Sequence, residues 1–263
     1  MVEPEVATQI IDTVRRFVEG RLIPAEDSVE HGDAVPADII AEMRALGLFG
    51  LSIPEEYGGL GLSMSEEVRV VIELGKTSPA FRSAFGTNVG IGSQGLVMAG
   101  NEAQRARFLP GIASGEIITS FALTEAEAGS DSANVRTRAV KDGNFYVVTG
   151  SKAFISGAGE NEIYVTMVRT GGEGPKGISC LVIEKDMKGV TFGAQEKKLG
   201  WRSQPTAQVH FDHVRVPVEN LVGEEGQGFR IAMQGLDGGR INIAACSLGG
   251  AQAAVDKAIT YMR

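Results

Sequence analysis

The sequence predicts an α+β protein with an amino-terminal helical domain, a middle β-barrel or sandwich-like domain, and the start of a carboxy-terminal helical bundle. Three changes of texture predict it. From Glu5 to about Gly115 apolar residues recur at three- and four-residue spacing. From about Ile117 to Val218 short β-branched and aromatic runs alternate with Gly, Asn and Asp. After Val222 helical spacing returns, rich in Ala and Gly. The expected divisions are residues 1–116, 117–222 and 223–263.

Within the first part, Val6, Ile10, Val14 and Phe17 describe one buried helix face. Ile39, Ile40, Met43, Leu46 and Leu48 describe a second, with Pro36 near its start and Gly47 near its end. Ser63 and Glu66 have capping-box spacing ahead of Val68, Val70, Val71, Ile72 and Leu74. Asn101 is the expected N-cap of a helix reaching Leu109, ended by Pro110 and Gly111.

In the middle part, Phe145–Thr149, Ile163–Val168, Ile178–Ile183 and Gln208–Phe211 read as strands. Lys141-Asp142-Gly143-Asn144 is a hairpin signal. Strands without interleaved helices predict a compact β-domain and not a parallel α/β sheet. Beyond Val222, Gly228–Leu236 reads as a short helix and Arg240–Met262 as a longer one.

The 263 residues are 43% hydrophobic and 22% charged, with a net charge of −8 and no basic run, so nucleic acid is a poor partner. Cys180 and Cys246 are far apart and form no C-x-x-C pair, which argues against a disulfide framework or zinc site and for a reducing compartment. No apolar run reaches the roughly 18 residues that span a bilayer, so no membrane span is expected. The opening M-V-E-P-E-V has neither the basic start nor the apolar core of a signal peptide, and no transit peptide is expected. These features predict a cytoplasmic protein of bacterial type, or a mitochondrial matrix protein if eukaryotic.

Several chemistries fail on inspection. Gly90-Ile91-Gly92-Ser93-Gln94-Gly95 has G-x-G-x-x-G spacing, but no buried strand precedes it and no acidic residue ends a second strand after it. Tight helix packing is the better reading. His210-Phe211-Asp212 resembles half of an iron site, but the only other histidines are His213, three positions on, and His31, so a partly exposed strand end is the better reading. No G-x-S-x-G or H-E-x-x-H motif is present, and no metal site is expected.

Phe121-Ala122-Leu123-Thr124-Glu125-Ala126-Glu127-Ala128-Gly129-Ser130-Asp131 starts as a strand and breaks into a small-residue turn, whose N–H groups and hydroxyl can meet phosphate or carbonyl oxygen. It resembles the acyl-CoA dehydrogenase signature T-E-P-G-x-G-S-D. Gly150-Ser151-Lys152-Ala153-Phe154-Ile155-Ser156-Gly157-Ala158 resembles that family's G-x-K-x-[WF]-I-[ST] strand. Leu199-Gly200-Trp201-Arg202-Ser203 with Val214-Arg215-Val216-Pro217, Gly223–Phe229 leading to Gly238-Gly239-Arg240, and Ile53–Gly59 match in family order. The resemblance covers essentially the whole chain. Residues 151–160, 171–180, 196–201 and 239–244 are most similar to the isobutyryl-CoA, short branched-chain, branch.

The resemblance implies FAD as cofactor, an acyl-CoA thioester as substrate, an electron-transfer flavoprotein as acceptor, and a homotetramer in the full-length form. Phe121, Ala122, Leu123, Thr124, Gly129, Ser130, Phe154, Ile155 and Ser156 would line the flavin, Thr124 near its pyrimidine side and Ser156 near N5. Ser130 would also touch the pantetheine arm. Asp237, Gly238, Gly239 and Arg240 would contact the CoA portion, with Arg240 as polar anchor. The implied reaction is α,β-dehydrogenation to the 2-enoyl-CoA, in which the flavin takes the hydride and the protein supplies orientation and a base.

Family members carry a glutamate base either where this chain has Gly239 or in the carboxy-terminal helical domain, most of which is expected to lie outside these residues. No residue here is therefore assigned as the catalytic base, neither Glu125 nor Glu127. An oxidase whose reduced flavin reacts with oxygen, and an inactive chain completed by a second one, stay open. Ala126-Glu127 stands where the signature has Pro-Gly, which is expected to cost about 1 kcal/mol of flavin retention through a softer loop.

Overall fold

A computed structural model describes residues 3–32 and 34–263 of the chain, so Met1 and Val2 of the opening M-V-E-P-E-V lie outside the described residues. Seven α-helices come first: α1 (Pro4–Phe17), continued by a π-helical turn, α2 (Glu26–Gly32), α3 (Ala37–Ala45), α4 (Met64–Leu74), α5 (Pro79–Val89), α6 (Ile91–Ala99) and α7 (Glu102–Ser114). The buried stripe of α1 is Ala7, Ile11, Val14 and Val18, rotated from the expected one. Val6 is exposed and Ile10 and Phe17 flank the stripe, because the four-residue steps run from Ala7. Ile39 and Met43 face inward from α3 as expected. Glu66 Oε2 accepts from both the N–H and the hydroxyl of Ser63 at 2.7 Å, which caps α4.

Asn101 caps α7, accepting from the N–H of Gln104 at 2.8 Å. The helix does not end at Pro110. It runs on to Ser114 and stops at Gly115, whose φ of 76° is the left-handed conformation of a C-terminal cap. Pro110 and Ala106 are exposed, so the carbonyl left without a donor faces water, while Leu109, Ile112 and Ala113 bury the opposite face.

Among the described residues eight strands follow: β1 (Thr119–Ala122), β2 (Arg138–Asp142), β3 (Phe145–Ser156), β4 (Ile163–Arg169), β5 (Ile178–Glu184), β6 (Val190–Phe192), β7 (Thr206–Pro217) and β8 (Leu221–Val222). They form one mainly antiparallel sheet in the order β6-β7-β3-β2-β4-β5-β8, with β1 parallel to β4. The expected hairpin joins β2 to β3, Asp142 facing Phe145 across Gly143, whose φ is 59°. The first six residues of β4 and of β5 are all buried, because both faces of these strands are covered. Ile163, Val165, Met167, Cys180 and Val182 pack towards the helices, and Tyr164, Val168, Leu181 and Ile183 into the core enclosed by the sheet.

The last element, α8 (Gly228–Met262), is one 35-residue helix where two were expected. Asp237-Gly238-Gly239 does not interrupt it. Each helical glycine costs about 1 kcal/mol, but here the missing side chains permit contact. A Cβ on Gly239 would stand 2.9 Å from Ile91 Cγ2, and one on Gly249 2.2 Å from the Ile72 carbonyl oxygen. Thus α8 lies against α4 and α6. Among the described residues no helix is long and apolar enough to cross a membrane.

Gly90–Gly95 forms the junction of α5 and α6. A Cβ on Gly92 would meet Thr119 Oγ1 at 1.9 Å, so this glycine lets α6 rest on β1. Beside it, the fully buried Asn88 donates to the carbonyls of Ile112 and Ile117 and accepts from the Thr119 N–H at 2.7 Å. These contacts fix where β1 begins, and thereby where the turn after it falls.

Candidate functional site

The turn after β1 is held from below by a buried lysine. Lys152 on β3 has no exposed side-chain surface, and its ammonium donates to the Leu123 carbonyl at 3.0 Å and to Glu125 Oε1 at 2.8 Å. Glu125 also accepts from the backbone N–H groups of Arg136 (2.6 Å) and Thr137 (2.9 Å), and the Ala153 N–H donates to the Thr124 carbonyl at 2.9 Å. Burial pushes the Lys152 ammonium down to about 8 against the pull of Glu125. Burial also opposes ionisation of Glu125, but Lys152 and the hydrogen bonds outweigh it and hold the carboxyl below its ordinary value. A carboxylate so stabilised is a poor base for a carbon-bound proton.

Glu125 and Ala128 close a two-residue turn over Ala126-Glu127 by reciprocal backbone hydrogen bonds of 3.1 and 3.2 Å. The turn is therefore pinned without the proline of the family signature. The added charge of Glu127 points into solvent and pairs with Arg136 at 3.3 Å.

Register shifts by a bulge between Lys152 and Ile155, where β3 crosses β7. Within it Phe154 takes a φ of 59° and leaves its ring 64% exposed, between buried Ala153 and Ile155. A left-handed phenylalanine is uncommon and costs about 1–2 kcal/mol. That strain holds an aromatic face outside the sheet, next to the small-residue turn. An exposed aromatic ring is a stacking partner for a planar ring system such as isoalloxazine, and at Gly129 nothing lies within 4 Å of where a Cβ would stand.

Ser156, two residues on, anchors β3 by accepting from the Ser120 hydroxyl on its carbonyl at 2.7 Å. Its side lines a pocket of about 320 Å³ together with Arg82, Trp201, Leu236, Gly239 and Arg240. Asp237 and Gly238, one helical step away, line a separate pocket of about 350 Å³ with Ser52, Glu67 and Gln94. The structure thus divides the expected CoA-contacting set between two faces of α8. Asp237 and Arg240 pair with each other at 3.1 Å across one turn. The expected flavin set divides too: Ala122, Leu123 and Ile155 are core side chains and could present only backbone, whereas Gly129, Ser130 and Phe154 are exposed and Phe121, Thr124 and Ser156 half-buried.

Between the two pockets runs a buried polar chain absent from the sequence expectations. Arg82 Nε donates to Asn242 Oδ1 at 2.8 Å, Nη2 reaches the same oxygen, and Asn242 Nδ2 donates to Glu67 Oε1 at 2.5 Å. Glu67 and Asn242 are 2% and 1% exposed. Burial raises the Glu67 carboxyl, partly offset by Asn242, Ser52 and Arg82, and lowers the Arg82 guanidinium, partly offset by Cys246 and Glu67. The three residues come from α4, α5 and α8. The one sequence sign of it was Arg82 itself, the single charge in the otherwise uncharged Pro79–Val89. Among the described residues no cluster of three or more His, Cys, Asp or Glu is placed to hold a metal ion.

Comparison with known proteins finds three family matches in succession. Residues 4–116 match the acyl-CoA dehydrogenase N-terminal domain, 120–214 the middle domain and 226–263 the C-terminal domain. A mitochondrial isobutyryl-CoA dehydrogenase of Dictyostelium discoideum is 46% identical over 94% of this chain and 59% of its own length. Butyryl-CoA dehydrogenase from Megasphaera elsdenii superposes with a TM-score of 0.92 at 33% identity, over 99% of this chain and 70% of that one. An acyl-CoA dehydrogenase complexed with FAD from Bacillus anthracis gives 0.88 at 31% identity, over 98% of this chain and 45% of that one. The chain spans about three fifths of the length of the isobutyryl-CoA dehydrogenases it matches.

Proposed function

Because the chain belongs to the acyl-CoA dehydrogenase family, an oxidoreductase family acting on CH–CH groups, we propose that it forms two walls of an FAD and thioester site in an enzyme that converts a short or branched acyl-CoA to its 2-enoyl-CoA. The observation that carries this reading is the shared pocket. Ser156, expected at the flavin edge, and Gly239 and Arg240, expected at the thioester, line one cavity although they come from β3 and α8. Phe121, Thr124, Gly129 and Ser130 would border the cofactor from the turn after β1, with Phe154 supplying the aromatic face and Ser156 a hydroxyl. FAD held there would supply the acceptor for the hydride of the β-carbon.

The residues of this chain orient and enclose. Trp201, Leu236, Ile91 and Ile243 give the pocket an apolar surface against which the acyl group would pack. Arg240, exposed at the rim, is placed for the CoA arm. Lys152 and Glu125 hold the turn in shape and do not touch the reacting atoms. Gly239 has no side chain with which to take the α-proton, and Glu125 is committed to Lys152, so the base belongs in this reading to the carboxy-terminal helical domain, of which residues 226–263 match one part. An electron-transfer flavoprotein as acceptor and a homotetrameric whole protein complete the reading.

The test is turnover of isobutyryl-CoA and butyryl-CoA by the whole FAD-loaded protein. Enoyl-CoA formed with ferricenium as acceptor and no peroxide is expected. Stoichiometric peroxide would replace the reading with an oxidase, and absence of enoyl-CoA with either acceptor would overturn it.

A further inference from the structure

We propose that the pocket between α4, α6 and α8, across the buried polar chain from Ser156, binds a small organic cation, a short alkylammonium whose charge pairs with Glu67. The inference is independent of the acyl-CoA reading above.

Glu67 lies at the wall of this pocket of about 350 Å³ and is 2% exposed. Its hydrogen-bond partners are neutral. Oε1 accepts from the Asn242 amide at 2.5 Å, and the Ser52 hydroxyl, which stabilises the carboxylate, itself donates to the Val89 carbonyl at 2.8 Å. Among the described residues Glu67 forms no ion pair. Arg82 stands one residue away, because Asn242 takes the guanidinium on its oxygen and gives its amide to Glu67. Desolvation raises this carboxyl, so a cation that reaches it removes a cost already present in the fold.

The rest of the pocket favours the same ligand charge. Gln94 spends its amide nitrogen on the Ser52 hydroxyl at 3.1 Å and the Val89 carbonyl at 3.4 Å. The Val89 carbonyl can only accept, which fixes the orientation of this amide, and the Gln94 oxygen has no hydrogen-bond partner among the described residues. Asp237 adds a second carboxylate, shared with Arg240. No Lys, Arg or His lines the pocket. Both charged groups at it are therefore anionic, which disfavours the phosphates of CoA and favours an ammonium with several N–H donors.

Leu62, Met64, Val89 and Ile241 give an apolar surface for a short alkyl chain. The space exists because α8 carries glycine here. A Cβ on Gly238 would stand 3.2 Å from Met64 Cε, so a larger side chain would fill the gap between α8 and the start of α4. A cavity of this volume suits a ligand of few heavy atoms.

The experiment is isothermal titration calorimetry of the whole FAD-loaded protein with n-butylammonium, with 1-butanol as the neutral counterpart, for the native protein, E67Q and G238L. Saturable binding of n-butylammonium with a Kd at or below about 1 mM is expected. A charge-assisted hydrogen bond corresponds to about 10- to 100-fold in affinity. 1-Butanol should therefore bind at least about 10-fold weaker, and E67Q should lose at least about 10-fold for the ammonium. G238L leaves Glu67 in place, favours the helix, and should abolish binding by filling the pocket. No saturation by n-butylammonium below about 10 mM overturns the proposal, as does equal binding of 1-butanol. So does undiminished binding by E67Q or, if E67Q does not fold, by G238L. Nα-acetyl-lysine methylamide carries the same ammonium on a peptide backbone and should bind no tighter than n-butylammonium. Tighter binding would assign the site to a lysine of a protein partner and overturn the small-molecule assignment.

Discussion

Lys152 Nζ and Glu125 Oε1 meet at 2.8 Å beneath the turn that follows β1, and the lysine has no exposed side-chain surface. The pair joins three segments, because Glu125 also takes the N–H groups that open β2. Removing one partner leaves the other charge buried and unpaired. Lys152→Met is expected to lower unfolding stability by about 3–5 kcal/mol, measured by urea denaturation, and to cost flavin retention. A loss below about 1 kcal/mol would place the pair among the weak surface bridges instead.

The same pair predicts a pH dependence with a defined sign. The Glu125 carboxyl is held below its ordinary 4.5 in the folded chain, so the unfolded chain binds the proton more readily. Its stabilisation is present above 4.5 and is lost as pH falls through the lower folded value. Glu125→Gln should flatten this part of the acid limb of a stability–pH profile recorded by thermal melting. An unchanged acid limb would contradict the assignment.

Phe154 stores backbone strain to hold its ring in solvent. Phe154→Gly should raise the melting stability of the flavin-free chain, since glycine adopts a φ of 59° without the steric cost of about 1–2 kcal/mol. The same substitution should weaken FAD binding. Both are read in one pair of melting curves, with and without FAD, and the gap between them should shrink.

Gly92 distinguishes packing from nucleotide binding. Gly92→Ala forces a methyl group against Thr119 Oγ1, at 1.9 Å before relaxation, and overpacking of this kind costs about 1–3 kcal/mol. Loss of stability is expected by denaturant titration. Retained stability would contradict the packing role and reopen a ligand-binding one.

Local chemistry was the legible part of this protein. Ser63-Glu66 and Asn101 cap helices through contacts within three residues, and Gly143 turns a hairpin through contacts within four. The ordered motifs likewise identified the turn at Phe121–Asp131 and the strand through Ser156. Where tertiary packing decides, reading the chain failed. Pro110 ends no helix because its exposed side tolerates a lost hydrogen bond, and Gly238-Gly239 interrupts none because close packing against neighbouring helices offsets the glycine cost. The Arg82–Asn242–Glu67 chain was invisible for the same reason: its members lie 160 and 175 positions apart and meet only once α8 is laid against α4 and α5.

The central claim is that this chain builds the flavin and thioester walls but does not carry the base. The direct measurement is the visible spectrum of the purified 263-residue chain, loaded with FAD and mixed anaerobically with isobutyryl-CoA. Bound flavin whose absorbance shifts on adding the thioester but does not bleach is the predicted result. Full bleaching, which requires a proton-abstracting residue within these 263, would contradict it.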